Sequence, residues 1–329
     1  TYHPDKGTGQ STGDRSSTFT LLNGVSIHGG FAGTETILAD RRPTDHPTIL
    51  SGDLLQNDDA PGAIIDNAYH VVTGSGSDPT AILDGFHIRS GHAIGNAPHN
   101  GGGGLICDGG GSPTLINCKF SGNRATDLGG AVYVNNNSNP TFTNCSFSGN
   151  HAFIIGGGIC ATNSSQPSYI NCTFAANSTT GFSAFGGAAY TSPSSATSLV
   201  NCILWNNTAT TEGDQFYGPL AASSSHNLVE GATPGGHVIS ATDPDFIRDP
   251  SPGADGLWTG SLDNDYGNLR IQAGSPALDS GLNAANSSLL DLAFDSRLQN
   301  GAIDLGAYEL PFVTAVTNTN DSGPGSLRE

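Results

Sequence analysis

Apolar and polar positions along this chain recur with a period of about 27 residues, and that recurrence predicts its elements. The pentapeptide GGGLI at 102–106 returns as GGAVY at 129–133, GGGIC at 156–160 and GGAAY at 186–190, in steps of 27, 27 and 30. NCKF at 117–120 returns with the same steps as NCSF, NCTF and NCIL, and three residues after Phe120, Phe147, Phe174 and Leu204 stand Asn123, Asn150, Asn177 and Asn207. Pro113, Pro140 and Pro167 form a fourth column. Alternation within a unit predicts a short strand with Ile116, Cys118 and Phe120 on the core face and Asn117 and Lys119 opposite. Thr143, Cys145 and Phe147, then Ile170, Cys172 and Phe174, then Val200, Cys202 and Leu204 repeat it, which places Leu115, Phe142, Tyr169 and Leu199 outward.

A unit with such short strands and a Gly-rich corner has too little apolar surface to close its own core, so it must stack on its neighbours. Stacked coils about 4.8 Å apart put equivalent residues over one another: Phe on Phe, Cys118 on Cys145, Cys172 and Cys202, Asn117 on Asn144, Asn171 and Asn201. The fold expected is all-β, a parallel β-helix of coils of about 27 residues. The preference of parallel crossovers predicts a right hand. Residues 19–31, 48–50, 63–72 and 81–88 read as earlier, less regular coils. The expected organisation is irregular coils over 1–101, regular coils over 102–215, further coils with a closing module over 216–310, and a linker or the start of another module over 311–329.

Composition narrows the partners. A net charge of −18 repels phosphate backbones and anionic lipid, so nucleic acid is excluded as an expected partner. No apolar run approaches the about 18 residues of a membrane helix, so no membrane insertion is expected. The chain has no Met and begins at Thr1 without the blocks of a signal peptide, which reads as a processed or partial chain. The six cysteines lack the close pairs of a zinc site, and four share one inward column whose parallel Cβ vectors favour buried free thiols over bridges. The two Asn columns are expected to form stacked amide ladders at tight corners.

The pairing of Gly129-Gly130-Ala131-Val132 with Phe147-Ser148-Gly149-Asn150 resembles the repeats of polymorphic outer-membrane proteins, bacterial autotransporter adhesins. More broadly the chain is similar to secreted bacterial proteins with right-handed parallel β-helix repeats. TFTLLNGVSIHGGFAGTET at 18–36 resembles their opening region, and DPDF at 243–246, GSPALDSG at 274–281 and IDLGAYE at 303–309 resemble their closing module. The resemblance implies an extracellular or cell-surface protein of a group holding adhesins, structural proteins and some polysaccharide-acting enzymes.

Chemistry is sparse in the regular coils, whose outward positions are mostly Asn, Ser and Thr. The richest local set is Asp84, His87, Arg89, His92 and His99, where a loop before the regular coils offers a base and a substrate clamp for a lyase or hydrolase. Asp263, Asn264 and Asp265 offer oxygen ligands for calcium, as do Asp291, Asp295, Asp304 and Glu309 in the closing module, without the spacing of an EF-hand. No other cofactor is indicated. Trp205, Trp258, Tyr217 and Tyr266 are candidates for a sugar platform, against the plainer expectation that they pack under loops. The function expected is a non-catalytic structural or adhesive module, self-assembling end to end or holding a surface glycan or protein. The alternative is a polysaccharide-acting lyase or hydrolase on the same scaffold.

Overall fold

The computed structural model describes residues 1–311 apart from 59, 61, 255, 257 and 259–262, so the expected linker from 312 onward lies outside the described residues. The chain winds into a parallel β-solenoid with four sheets, of seven, six, eight and five strands in the order each coil visits them. In one regular coil these visits are Leu105–Cys107, Thr114–Ile116, Lys119–Ser121 and Arg124–Ala125. Equivalent residues stack without slip, Lys119 on Ser146, Phe120 on Phe147 and Ser121 on Ser148. The less regular first coils join the same sheets, with Phe19–Thr20, Ser26–His28 and Thr48–Ser51 as their first named strands.

Corners are turned by residues in left-handed backbone. Asn117, Asn144, Asn171 and Asn201 have φ between 49° and 56°, and Gly122 and Gly149 lie near 60°. Asparagine tolerates this region better than most residues with a Cβ. A left-handed residue reverses the parity of a strand alternation, and this corrects one expectation. Leu115, Phe142, Tyr169 and Leu199 are not outward: all are at most 2% exposed, while Ile116, Thr143 and Ile170 take the half-buried outer positions. Both inward parities feed one core. Phe120, Phe147 and Phe174 stack at 5.0 and 4.6 Å between centroids, Phe142 stacks on Tyr169 at 4.7 Å, and the two columns meet edge to face.

The inner amide ladder closes the corner between the eight- and five-stranded sheets. Asn150 Nδ2 donates to Asn177 Oδ1 (2.9 Å) and to the Phe120 carbonyl (3.0 Å), while its Oδ1 accepts from both the backbone and side-chain N–H of Asn123 (3.1 Å each). At the outer corner Asn144 donates to Asn117 and Asn201 to Asn171, while Asn286 from a distant segment bridges Asn144 and Asn171. Cys118, Cys145, Cys172 and Cys202 stack as buried free thiols, and Cys107 and Cys160 are buried and free as well.

After Val238–Ser240 the chain leaves the solenoid, forms an antiparallel pair from Phe246–Arg248 and Asn268–Ile271, and runs back along the coils. Gly306 donates to the Asn201 carbonyl, Asn144 donates to Ser288 and the Leu290 carbonyl, and the Phe294 ring lies 4.9 Å from the Arg41 guanidinium. This returning segment ties the far coils to the first ones. Among the described residues no helix is long and apolar enough to cross a membrane.

The Tyr169 hydroxyl is buried among the stacked rings without a hydrogen-bond partner among the described residues. Removing it deletes a desolvated polar atom and no bond. Tyr169→Phe is therefore expected to stabilise the fold by about 1 kcal/mol in urea unfolding, and a loss of stability would show that the hydroxyl is bonded after all.

Candidate functional site

A cleft of about 250 Å³ opens where the corner between the eight- and five-stranded sheets faces the returning segment. Four stretches line it: Asp53 and Asp58 with Ile64 and Asn67 from an early loop, Arg89 to His92 from one corner, Gly122 and Arg124 from the next, and Trp258, Asn264 and Tyr266 from the returning segment. The floor is bare backbone. A Cβ at Gly91 would meet the Gly103 carbonyl at 1.8 Å, and one at Gly122 would meet the Tyr266 hydroxyl at 2.2 Å. Tyr266 lies over Gly122 and Trp258 over Gly149 of the following coil, stacked on each other at 5.6 Å and 18°.

The corner fixes the cationic groups. Arg124 stands in register between His92 and His151, and Arg89 pairs in register with Ser121. His92 Nδ1 donates to the Ile64 carbonyl at 2.7 Å, which leaves the lone pair on Nε2. Burial holds His92 down at about 4 and His151 at about 3, helped in both by the Arg124 charge, so both imidazoles are neutral at physiological pH. Arg15 braces the back of the wall through the Asn67 and His92 carbonyls at 2.6 and 3.0 Å. Burial and the nearby Asp53 charge raise Asp58 to about 6, against bonds that favour its ionised form, among them one from Asn67 Nδ2 at 3.2 Å. Four buried lining atoms, Arg89 Nε, Arg124 Nη1, Asp58 Oδ1 and Asn67 Oδ1, have no hydrogen-bond partner among the described residues.

Residues 62–244, more than half of the chain, match the family described as "Right handed beta helix region". The chain belongs to the right-handed β-helix family. Comparison with curated proteins finds no match. Among solved structures the β-helix chain is similar to one titled "Crystal structure of pectate lyase Pel9A", at 15% identity and a TM-score of 0.41, over 73% of this chain and 54% of that one. The matched part thus spans about half the length of that enzyme.

The β-helix separates the residues that sequence grouped together. Arg89 and His92 reach the cleft, but Asp84 does not: it is buried at the outer corner, where Arg41 Nη2 and Asn117 Nδ2 (3.0 Å) donate to its two oxygens and His28 Nδ1 lies at 3.4 Å. It ends the outer Asn ladder. His87 bonds Ser121 Oγ at 2.5 Å and is held neutral by burial, and it faces a separate crevice with Lys119 and Leu292. His99 stacks on Tyr69 at 4.7 Å and bonds His70 at 3.1 Å. Trp205 packs against the second core and Tyr217 stacks on Tyr190, so neither joins Trp258 and Tyr266. Sequence reasoning missed Asp53, Asp58, Asn67 and Arg124 for the cleft, since nothing local marks them as convergent.

The calcium candidates are otherwise engaged. Asp265 accepts Arg248 through Nε and Nη2, and Asp263 Oδ2 accepts the Ala254 amide at 2.7 Å. In the closing module Asp291, Asp304 and Glu309 are at most 1% exposed around the equally buried Arg297. Their oxygens accept backbone amides, Asp291 from Ala293, Asp295 and Glu309, and Asp304 from Asp279 and Leu310. Arg297 donates to the Asp304 and Gly306 carbonyls and stands 3.8 Å from Glu309. Among the described residues no three His, Cys, Asp or Glu side chains converge as a metal site.

Burial and the adjacent Asp304 push Glu309 up to about 8 from its ordinary 4.5. Between those values the folded β-helix keeps a proton that the unfolded chain has released, so this contribution is complete below about 4.5 and is lost as pH rises through about 8. The thermal unfolding midpoint is expected to fall across that upper range, and Glu309→Gln to flatten the fall. An unchanged slope in the variant would assign the effect to another group.

Proposed function

We propose that this β-helix protein is an extracellular or cell-surface module that engages an acidic glycan in the cleft beside Trp258 and Tyr266. The observation that carries the reading is the placing of two guanidinium groups with unspent donors, Arg89 and Arg124, next to a stacked aromatic pair. Aromatic faces take the apolar side of a sugar ring, and guanidinium forks take carboxylates or sulfates. A chain of net charge −18 repels an anionic polymer everywhere else, so such a ligand is held only where basic groups are set into a wall. The cleft serves an adhesive protein that holds the glycan or a polysaccharide-acting one that also cleaves it. Calorimetric titration with uronate-containing oligosaccharides is expected to show binding that their neutral counterparts lack. Arg124→Ala is expected to weaken it roughly 10- to 100-fold, the size of a lost charged hydrogen bond. Equal affinity for neutral and acidic sugars would remove the guanidinium groups from the reading.

A second reading, homotypic end-to-end association, is favoured by the two ends of the solenoid. Three sheets end at unpaired edges near Phe19–Thr20, Ser26–His28 and Tyr2, where Tyr2, Ile27 and Phe31 are exposed around an apolar cavity of about 330 Å³. At the far side the seven- and eight-stranded sheets end with Phe216–Tyr217 and Val238–Ser240, while Ser198–Val200 of the six-stranded sheet is bridged further by Leu220 and Ser225, so a second copy offers edges to two of the three sheets. Sedimentation velocity is expected to show concentration-dependent growth that Ile27→Lys abolishes. A single monomeric species at high concentration would end this reading.

A further inference from the structure

We infer that the acidic glycan held in this cleft also carries a positive group, an amino sugar beside its uronate, whose ammonium the early loop takes through Asp58 and Asn67. The inference rests on the acidic-glycan reading above and narrows its ligand to a zwitterionic one. The cleft presents unspent groups of both kinds. Arg89 Nε and Arg124 Nη1 are donors without a partner among the described residues, and Asp58 Oδ1 and Asn67 Oδ1 are acceptors without one; all four are buried and belong to residues lining the same cavity of about 250 Å³. No ion pair joins either guanidinium group to Asp53 or Asp58 among the described residues. An anion alone completes the two donors and leaves both acceptors desolvated and unbonded, whereas a ligand with both charges completes all four.

Asn67 fixes the kind of group that fits. The residue is 1% exposed, and its Nδ2 donates to Asp58 Oδ2 at 3.2 Å. Turning the amide over would set its oxygen against a carboxylate oxygen, so Oδ1 stays an acceptor and calls for a donor. The Asn67 backbone is held in place too, its carbonyl accepting Arg15 Nε at 2.6 Å. Asp58 is kept beside Asn67 by that same bond, and the Ser90 side chain also bonds its carboxyl group. Asp53, from the same loop, has Oδ1 engaged by the Asn57 amide at 3.0 Å. Burial, and after it the Asp53 charge, raise Asp58 only to about 6, so at neutral pH it is an anion.

An ammonium has three N–H donors and no acceptor, which suits a carboxylate oxygen next to a carboxamide oxygen. A bare metal ion is the poorer match. Among the described residues no three His, Cys, Asp or Glu side chains converge, and the guanidinium groups of the same cleft repel a divalent ion more than a singly charged one. Overall charge favours the same ligand. A polymer that carries one ammonium for each carboxylate is close to neutral, so a chain of net charge −18 does not repel it outside the cleft. The stacked Trp258 and Tyr266 rings take the apolar side of the sugar in either case.

Calorimetric titration separates this inference from the reading beneath it. The probes are oligosaccharides of alternating uronate and glucosamine with the amine free, N-ethylated or N-acetylated, and a free-amine form whose carboxyl groups are reduced to alcohols. The N-ethyl form keeps the charge beside a bulk close to that of acetyl. The free-amine and N-ethyl uronate forms are expected to bind roughly 10- to 100-fold more tightly than the N-acetyl form, the size of a charged hydrogen bond, and the free-amine form to exceed the carboxyl-reduced one by a similar factor. Asp58→Asn, checked for folding by its thermal unfolding, is expected to bring the ratio of free-amine to N-acetyl affinity near one, whereas Arg124→Ala keeps that ratio and loses the preference for carboxylate. If Asp58→Asn does not fold, the wild-type series decides by itself. Equal affinity for the free-amine and N-acetyl forms, an N-ethyl form as weak as the N-acetyl form, or a ratio that survives in folded Asp58→Asn overturns the inference and leaves the acidic-glycan reading standing. A carboxyl-reduced form bound as tightly as its parent, or no binding of any form, overturns both.

Discussion

Every corner of this solenoid must find partners for backbone groups that the sheets release, and the buried amide ladder is how the corner beside the cleft does so. Ser90, Gly122, Gly149, Ala176 and Asn206 occupy the same left-handed position in successive coils. In four of the five an asparagine follows, and its amide donates to the carbonyl of Ile88, Phe120, Phe147 or Phe174 in the coil below and to the next side-chain amide, Asn150, Asn177, Asn207 or Gln215. Orphaned groups in a dry corner cost far more than the net worth of a single hydrogen bond, so the column tolerates little variation. The ladder ends at Gly91, where the first asparagine is missing and the Gly91 amide donates to Asn123 Oδ1 at 3.1 Å. The cleft begins at that ending. With no side chain at Gly91 and a crowded Gly103 carbonyl behind it, the wall is flat backbone from which Arg89 and His92 project on either side.

The second requirement is a lid that stays in place, and its anchor is electrostatic. Arg297 is buried with no hydrogen bond at Nε or Nη1 among the described residues, and three carboxyl groups surround it, Glu309 at 3.8 Å from Nη1. Removing a charge from water is expensive and is offset only by opposite charge and hydrogen bonds close by. Backbone amides supply most of those bonds here, to Asp291 and Asp304, so the cluster organises the loop of residues 291–310 around its own charges. Asn286 and the Leu290 carbonyl lock that loop to the outer ladder at Asn144. The segment that carries Trp258 and Tyr266 is thereby fastened to the solenoid further along the chain.

The columns of the regular coils were legible in sequence because in-register stacking repeats one environment at one spacing, and Phe120, Phe147 and Phe174 or Asn123 and Asn150 declare it directly. Facing was read correctly after each corner and wrongly before it. Strand alternation alone puts Asn117 outward, whereas its left-handed φ reverses the alternation and sends Leu115 inward. The site was legible only in its pieces. Arg89 and His92 were singled out by local density of ionisable groups, and the same signal drew in Asp84, whose partner Arg41 is 43 residues away. Asp58, Arg124 and Tyr266 come from three distant parts of the chain and carry no shared motif, so their meeting depends on the stacking and on the returning segment together.

The column His92, Arg124, His151 shows why the cleft keeps its positive charge available. In register these three side chains stand about 4.8 Å apart, a spacing at which three cations would repel strongly in a partly dry wall. Burial answers this by making both imidazoles neutral, and the neighbouring guanidinium charge pushes them further the same way. The charge of the column therefore rests on Arg124 alone. Neutral imidazoles have no charge with which to compete with Arg124 for an approaching anion, and His92 is committed to the Ile64 carbonyl. No carboxylate forms an ion pair with Arg89 or Arg124 among the described residues, unlike Arg41, Arg248 and Arg297 elsewhere in the chain. Pairing basic groups internally would have been the cheaper arrangement for a folded acidic protein. Leaving these two facing a cavity is the arrangement that the proposed acidic glycan would complete.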